Sequence, residues 1–135
     1  MSLLLYALIN DSCRMSSLAD LRHELEKKFT HDARLHFRLD VNPFGTDEHL
    51  VLDWSNWAMS VFWDEGVEVL SDSEYIANTT GASSAEGRSR RIRVAFDCDP
   101  SGKYTNEAIY MVEWLQSIRD VIVFDPNSEE ILELE

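Results

Sequence analysis

Residues 3–9 have the sequence Leu-Leu-Leu-Tyr-Ala-Leu-Ile, a continuous apolar run that Asn10 and Asp11 end. A strand without polar alternation is typical of the interior of a sheet, where both faces are covered. The run is much shorter than the roughly 18–20 apolar residues that cross a bilayer. We therefore expect a central strand around which the other elements are arranged.

Two amphipathic helices are predicted, one near each end of the chain. Ser16 or Ser17 can cap the first, and Thr105 or Asn106 can cap the second. Apolar residues recur at spacings of three and four along both. In the first helix they are Leu18, Leu21, Leu25 and Phe29, and in the second Ala108, Met111, Val112, Leu115 and Ile118.

Short β-type patterns fill the rest of the chain. Residues 50–54 and 57–63 flank Ser55-Asn56 and predict a hairpin. The other predicted strands are residues 35–41, 67–70, 91–96 and 121–124, and residues 131–135 form a last edge strand or fray. Small polar residues and two glycines predict a mobile loop over residues 79–89, and residues 42–45 predict a turn.

This order of elements predicts the α+β class. We expect a two-layer sandwich in which two helices cover one face of a mixed, mainly antiparallel sheet. A chain of 135 residues fits one domain, covering residues 1–135.

The charge of the chain limits its partners. Asp and Glu number 25 against 12 Lys and Arg, which gives a formal net charge of -13. Such a field attracts basic proteins and repels nucleic acid and anionic lipid. No basic segment precedes the first apolar run, as a signal peptide would require, so we expect a cytoplasmic protein. Because of the negative charge, we expect neither nucleic acid nor a membrane as its partner. The oligomeric state stays open.

No pattern of residues indicates catalysis, a metal or a cofactor. Residues 97–102 match the start of a calcium loop, but Ala108 stands where the loop needs a bidentate glutamate. The four histidines are scattered, and two cysteines are too few for a four-thiolate zinc site. We therefore expect a binding protein that is not an enzyme and carries no cofactor.

The middle of the chain combines indoles with carboxylates. Two interpretations are open: the indoles belong to a strand covered on both sides, or one aromatic set stays exposed within an acidic rim, as in protein–protein hot spots. The second interpretation predicts a partner-binding surface. Its residues are Asp53, Trp54, Trp57, Trp63, Asp64, Glu65, Glu68, Asp72 and Glu74.

Four arginines, Arg88, Arg90, Arg91 and Arg93, form the one concentration of positive charge in the sequence. Phosphate binding is one interpretation of this cluster. The alternative is that the arginines occupy the outer face of an edge or near-edge strand and discourage aggregation there.

The chain resembles bacterial immunity proteins, which neutralise polymorphic toxins such as those of contact-dependent growth inhibition. The resemblance lies in the acidic charge, the segment 54–74, and the succession of residues 91–96, 105–118 and 120–126. It implies a protein that binds a basic, nuclease-like toxin and blocks its active site, although it assigns no individual contact residue.

Three functions follow as hypotheses. The first is an acidic inhibitor, an immunity protein that binds a cognate basic toxin directly. The second is a small enzyme or ligand-binding domain with a pocket near the 79–89 loop. The third is a structural or regulatory domain that oligomerises through a sheet edge.

Overall fold

The computed structural model describes residues 3–41 and 48–132 of the chain. The strands are β1 (Leu3–Ile9), β2 (His36–Val41), β3 (Glu48–Asp53), β4 (Ala58–Glu65), β5 (Arg90–Phe96), β6 (Ile122–Asp125) and β7 (Glu130–Leu132). The helices are α1 (Leu18–Lys28), α2 (Val67–Thr80) and α3 (Thr105–Ser117), with a 3-10 turn at Ser83–Ala85. The turn predicted at 42–45 and residues 133–135 of the predicted last strand lie outside the described residues.

The strands form one sheet in the order β2-β3-β4-β5-β1-β6-β7. Every pairing between neighbouring strands in this sheet is antiparallel. β1 lies between β5 and β6, and Leu5 and Leu8 on its opposite faces are both buried. The predicted central strand is therefore confirmed.

Helices α1 and α3 cover the same face of the sheet, as predicted. Leu21 and Leu25 of α1 join Met111 and Leu115 of α3 in one core with the inward side chains of β1, β3, β4 and β5. Ser17 caps α1 by accepting a hydrogen bond of 3.2 Å from the backbone N–H of Asp20. The α+β sandwich with two helices on one face is thus confirmed.

A third helix, α2, lies on the other face, where the sequence analysis predicted a short strand at 67–70. Its buried residues Val69, Ser73, Ile76 and Ala77 follow helical spacing, and Gly66 enters the helix at a φ of +113°. The strand prediction is wrong because four residues that alternate Val-Glu-Val-Leu fit both periods. The buried positions that follow would distinguish a helical period from a strand period. Two of them are Ser73 and Ala77, so the apolar pattern of the helix is weak.

The segment 79–89 is also better packed than predicted. Ala85 in the 3-10 turn is fully buried beside Leu8 and Ile76. Arg88 is buried too, and its guanidinium donates to the carbonyl oxygens of Leu8 and Asp120. The prediction of a loop throughout residues 79–89 is wrong, because α2 extends to Thr80, a 3-10 turn covers Ser83–Ala85, and Arg88 ties the segment to the backbone of the sheet.

The small core under α2 gives a first prediction. Ile76→Ala should lower the free energy of unfolding by about 2–5 kcal/mol, since it opens a cavity at a side chain that is 1% exposed. Val67→Ala on the same helix, at a side chain that is 82% exposed, should change it by less than about 0.5 kcal/mol. Urea denaturation measures both. Equal losses would contradict the packing of α2 on the sheet.

Candidate functional site

The face of the sheet under α2 is only partly covered, and a groove remains beside the N-terminus of this helix. The groove has a volume of about 810 Å³ and lies between the ends of β2, β3 and β4 and the start of α2. We call it the β4–α2 groove. Its carboxylates are Asp40, Glu48, Asp64, Glu65 and Glu68, and its cations are Arg91 and Arg93.

The floor of the groove holds a stack of rings and a guanidinium. His49 of β3 stacks on Phe62 of β4 with ring centroids 4.4 Å apart. The guanidinium carbon of Arg93 lies 3.9 Å from the centroid of the same Phe62 ring. Burial, with the charges of Arg93 and Arg38, lowers the pKa of His49 against the opposing effect of Asp40 and so favours the neutral imidazole.

Asp64 binds both arginines of the floor. Its carboxylate accepts hydrogen bonds from Nε of Arg91 at 2.9 Å and from Nε of Arg93 at 2.8 Å. Arg91 also donates to Asp72 of α2 at 2.6 Å and lies over the Tyr6 ring at 4.3 Å. Burial disfavours the charge on Asp64, but the hydrogen bonds and charges of Arg93 and Arg91 outweigh it and lower the pKa of this carboxyl.

Three glutamates at the edge of the groove have no such partner. Glu48, Glu65 and Glu68 are exposed, and the described residues supply an ion pair to none of them. We call these three residues the acidic rim. Val67 and Val41 beside them are 82% and 51% exposed. The groove thus offers free negative charge next to apolar surface.

The structure brings together four of the nine predicted partner-binding residues. Trp63, Asp64, Glu65 and Glu68 line the β4–α2 groove, and Asp72 touches it through Arg91. The other four lie elsewhere. Asp53 pairs with Arg38 at 3.4 Å, and Glu74 borders a separate depression of about 480 Å³ beside Asn78 and Glu86.

Trp54 and Trp57 are not exposed, which corrects the prediction that they form a contact surface. Each is only 4% exposed. The indole N–H of Trp54 donates to Asp32 at 2.8 Å, and that of Trp57 donates to the carbonyl of Asp97 at 2.9 Å. Because the N–H groups find acceptors inside the fold, both indoles belong to the core. Trp63 is partly buried against that core as well.

The arginines of β5 do not protect an edge, since β5 is an interior strand between β4 and β1. Arg91 and Arg93 are held by Asp64, while Arg90 donates to the carbonyls of Asn10 and Met15. The cluster therefore supports the fold, and its cations already have partners.

His49, Phe62, Val67 and Glu48 line the groove but were not among the predicted site residues. The predicted hairpin contained a signal for the first two, because a turn at Ser55-Asn56 with Asp53 opposite Ala58 continues to His49 opposite Phe62. Val67 could be recognised as an exposed residue of the groove only once the structure showed that a helix begins there. Near residues 79–89, where a pocket was predicted, the surface has one depression of about 340 Å³ beside Ala82 and Ser84 and another of about 480 Å³ beside Glu86 and Gly87.

Comparison with models of protein families, with curated proteins and with solved structures found no match to this chain. Across residues 3–41 and 48–132, no group of three or more His, Cys, Asp or Glu is arranged to hold a metal ion. Within the same residues, none of the helices has the length and apolarity to span a membrane.

Removing the charge of Asp64 gives the second prediction. Asp64→Asn should lower the free energy of unfolding by about 2–3 kcal/mol, less than the roughly 3–5 kcal/mol of a fully buried pair because 22% of the side chain is exposed. Glu26→Gln, which breaks the exposed pair with Arg22, should cost less than about 1 kcal/mol. Urea denaturation at pH 7 compares the two variants.

The same variant tests the lowered pKa. A carboxyl whose pKa is lower in the folded state stabilises the fold above its unfolded pKa of about 4, and this stabilisation is lost as the pH falls through the folded value. The difference between the wild type and Asp64→Asn should therefore be smaller at pH 3 than at pH 7. A difference that does not change with pH would mean that Asp64 is not charged in the native protein.

Proposed function

We propose that this protein binds a basic protein through the β4–α2 groove and inhibits it, as an immunity protein does with its cognate toxin. The observation that carries the proposal is the acidic rim. Glu48, Glu65 and Glu68 line the groove together with exposed Val67 and have no ion pair within the described part of the chain.

The arrangement of charges favours a protein as the ligand. Free carboxylates beside apolar side chains match the polar rim and apolar centre of a protein–protein interface. Asp64 is already bound by Arg91 and Arg93, so an incoming cation meets the rim and not the floor. The floor is therefore preorganised, and binding the rim does not require its ion pairs to break.

The net charge acts at longer range. A charge of -13 attracts a basic partner before contact and raises the rate of encounter. A nuclease holds phosphate with lysines and arginines, and the rim offers carboxylates to such groups. Occupying them blocks the path of the nucleic acid. The resemblance to immunity proteins agrees with this mechanism and suggests the basic product of an adjacent gene as the partner.

Charge reversal at the rim is the third prediction. Glu65→Lys and Glu68→Lys should each slow association with the partner about 3- to 10-fold, because each removes an attraction and adds a repulsion. Glu113→Lys on α3, which makes the same change of charge on an exposed position away from the groove, is the control. Surface plasmon resonance at two salt concentrations measures the rates, with the purified product of the adjacent gene as the ligand.

The proposal requires a 1:1 complex whose association slows with added salt. If all three variants slow association equally, net charge acts without a defined site and the groove is not the interface. If the adjacent product does not bind the wild type at any salt concentration, the inhibitor function is wrong. Asp64→Lys is unsuitable as a test, because it would also remove the ion pairs with Arg91 and Arg93.

A small ligand is the second candidate function, favoured by one observation. The groove volume of about 810 Å³ lies in the range of small-molecule sites, roughly 300–1,000 Å³. His49 and Arg93 in its floor supply polar groups. A ligand that binds only the folded state raises the melting temperature, so a panel of metabolites tested by thermal shift addresses this alternative.

A further inference from the structure

The outer edge of β2 has no other strand against it among residues 3–41 and 48–132. β2 pairs with β3 alone in the described sheet, in an uninterrupted register from His36 opposite Asp53 to Val41 opposite Glu48. Its sequence, His-Phe-Arg-Leu-Asp-Val, contains neither proline nor lysine. Natural proteins usually blunt such an edge with a short strand, a bulge, a proline or charged side chains, above all lysine, since a free row of backbone groups invites another strand.

The two edges of the sheet carry different charges. The described part of β7 begins at Glu130, which Glu129 precedes, so this edge carries like charges. β2 carries one charge of each sign, Arg38 and Asp40. Like charges repel a second copy of the same edge, whereas opposite charges allow one to pair.

The side chains of β2 are divided between its two faces. Phe37, Leu39 and Val41 lie on the face that α1 and α3 cover elsewhere, yet Leu39 is 46% and Val41 51% exposed. Arg38 and Asp40 lie on the other face, half exposed, with Arg38 Nη1 2.7 Å from Asp40 Oδ2. At its outer edge, β2 therefore presents one apolar face and one face that carries a positive and a negative charge.

We propose that β2 pairs antiparallel with β2 of a second copy of this chain, around a two-fold axis at Leu39. Residues at equal distances from the axis then lie opposite each other. Arg38 faces Asp40 of the second copy, and Asp40 faces Arg38. On the other face Leu39 meets Leu39, and Phe37 meets Val41, so apolar pairs and opposite charges are matched on both sides.

Other registers of this strand are worse. A two-fold centred on Arg38 places two arginines opposite each other, and one centred on Asp40 places two aspartates together. Like charges directly opposite destabilise a sheet. A shift of the register by one residue places apolar side chains of one copy opposite polar side chains of the other. The register at Leu39 is thus the one that the charges and the faces both favour.

The ion pair inside one copy is easily exchanged. Arg38 is 49% and Asp40 52% exposed, and such a surface pair stabilises the monomer by no more than about 1 kcal/mol. Repulsion between two copies of charge -13 opposes the association, and salt screens that repulsion. The dimer should therefore strengthen or stay unchanged with added salt, whereas the complex of the proposed inhibitor weakens.

A charge swap is the fourth prediction and tests the register directly. In a dimer of Arg38→Asp, aspartates of the two copies lie opposite each other, and in a dimer of Asp40→Arg, arginines do. Each variant alone should dimerise at least tenfold more weakly than the wild type, by sedimentation velocity. An equimolar mixture of the two should form a heterodimer as tight as the wild-type dimer, and the double variant Arg38→Asp/Asp40→Arg should dimerise again.

Three results would overturn this inference: a wild type that is monomeric at all concentrations, single variants that dimerise like the wild type, or a mixture that stays monomeric although both variants give folded circular dichroism spectra. If a single variant fails to fold, Leu39→Lys replaces it, since it places two lysines at the axis and should likewise yield a folded monomer. The variants of the rim, Glu65→Lys and Glu68→Lys, should leave the dimer intact, so the two proposals fail separately.

Discussion

The carboxylate of Asp64 is the contact on which one side of this molecule depends. β5 lies inside the sheet and nevertheless carries Arg91 and Arg93 on the face that α2 approaches. Buried guanidinium groups are costly unless they are paired and hydrogen-bonded. Asp64, directly opposite Arg91 on β4, binds both, and Asp72 completes the set for Arg91 from the helix above. The position of α2 is therefore fixed by charge as well as by its small apolar core.

The same ion pairs leave part of this face open. α2 begins at Val67, and the His49–Phe62 stack lies in the floor of the groove beside the start of this helix. The β4–α2 groove is what remains, with an internally neutralised floor and a rim of glutamates. Glu65 and Glu68 of the rim lie within the acidic segment 54–74, whereas Glu48 precedes it, and the indoles of Trp54 and Trp57 in that segment belong to the core.

The sequence was informative where one period extended over a whole element. β1 with its continuous apolar run, and α1 and α3 with their apolar stripes, were predictable for that reason. α2 was not, because Ser73 and Ala77 weaken its stripe and residues 67–70 imitate a strand. The fate of Trp54 and Trp57 was also out of reach, since their N–H groups bond to Asp32 and Asp97, which only the tertiary fold brings near. The lining of the groove could not be predicted either, because it depends on which residues of β2, β3 and β4 lie opposite each other.

The place of β1 in the sheet has a consequence for the order of folding. Residues 3–9 are made well before their neighbours in the sheet, residues 90–96 and 122–124. The meander of β2, β3 and β4 needs only local contacts and can form while the chain is still growing. β1, the most apolar strand, can pair only after β5 and β6 have been made. Such non-local pairing slows folding and prolongs exposure of a sticky segment. The apolar surface of β1 therefore stays without its neighbours in the sheet until β5 and β6 have been made.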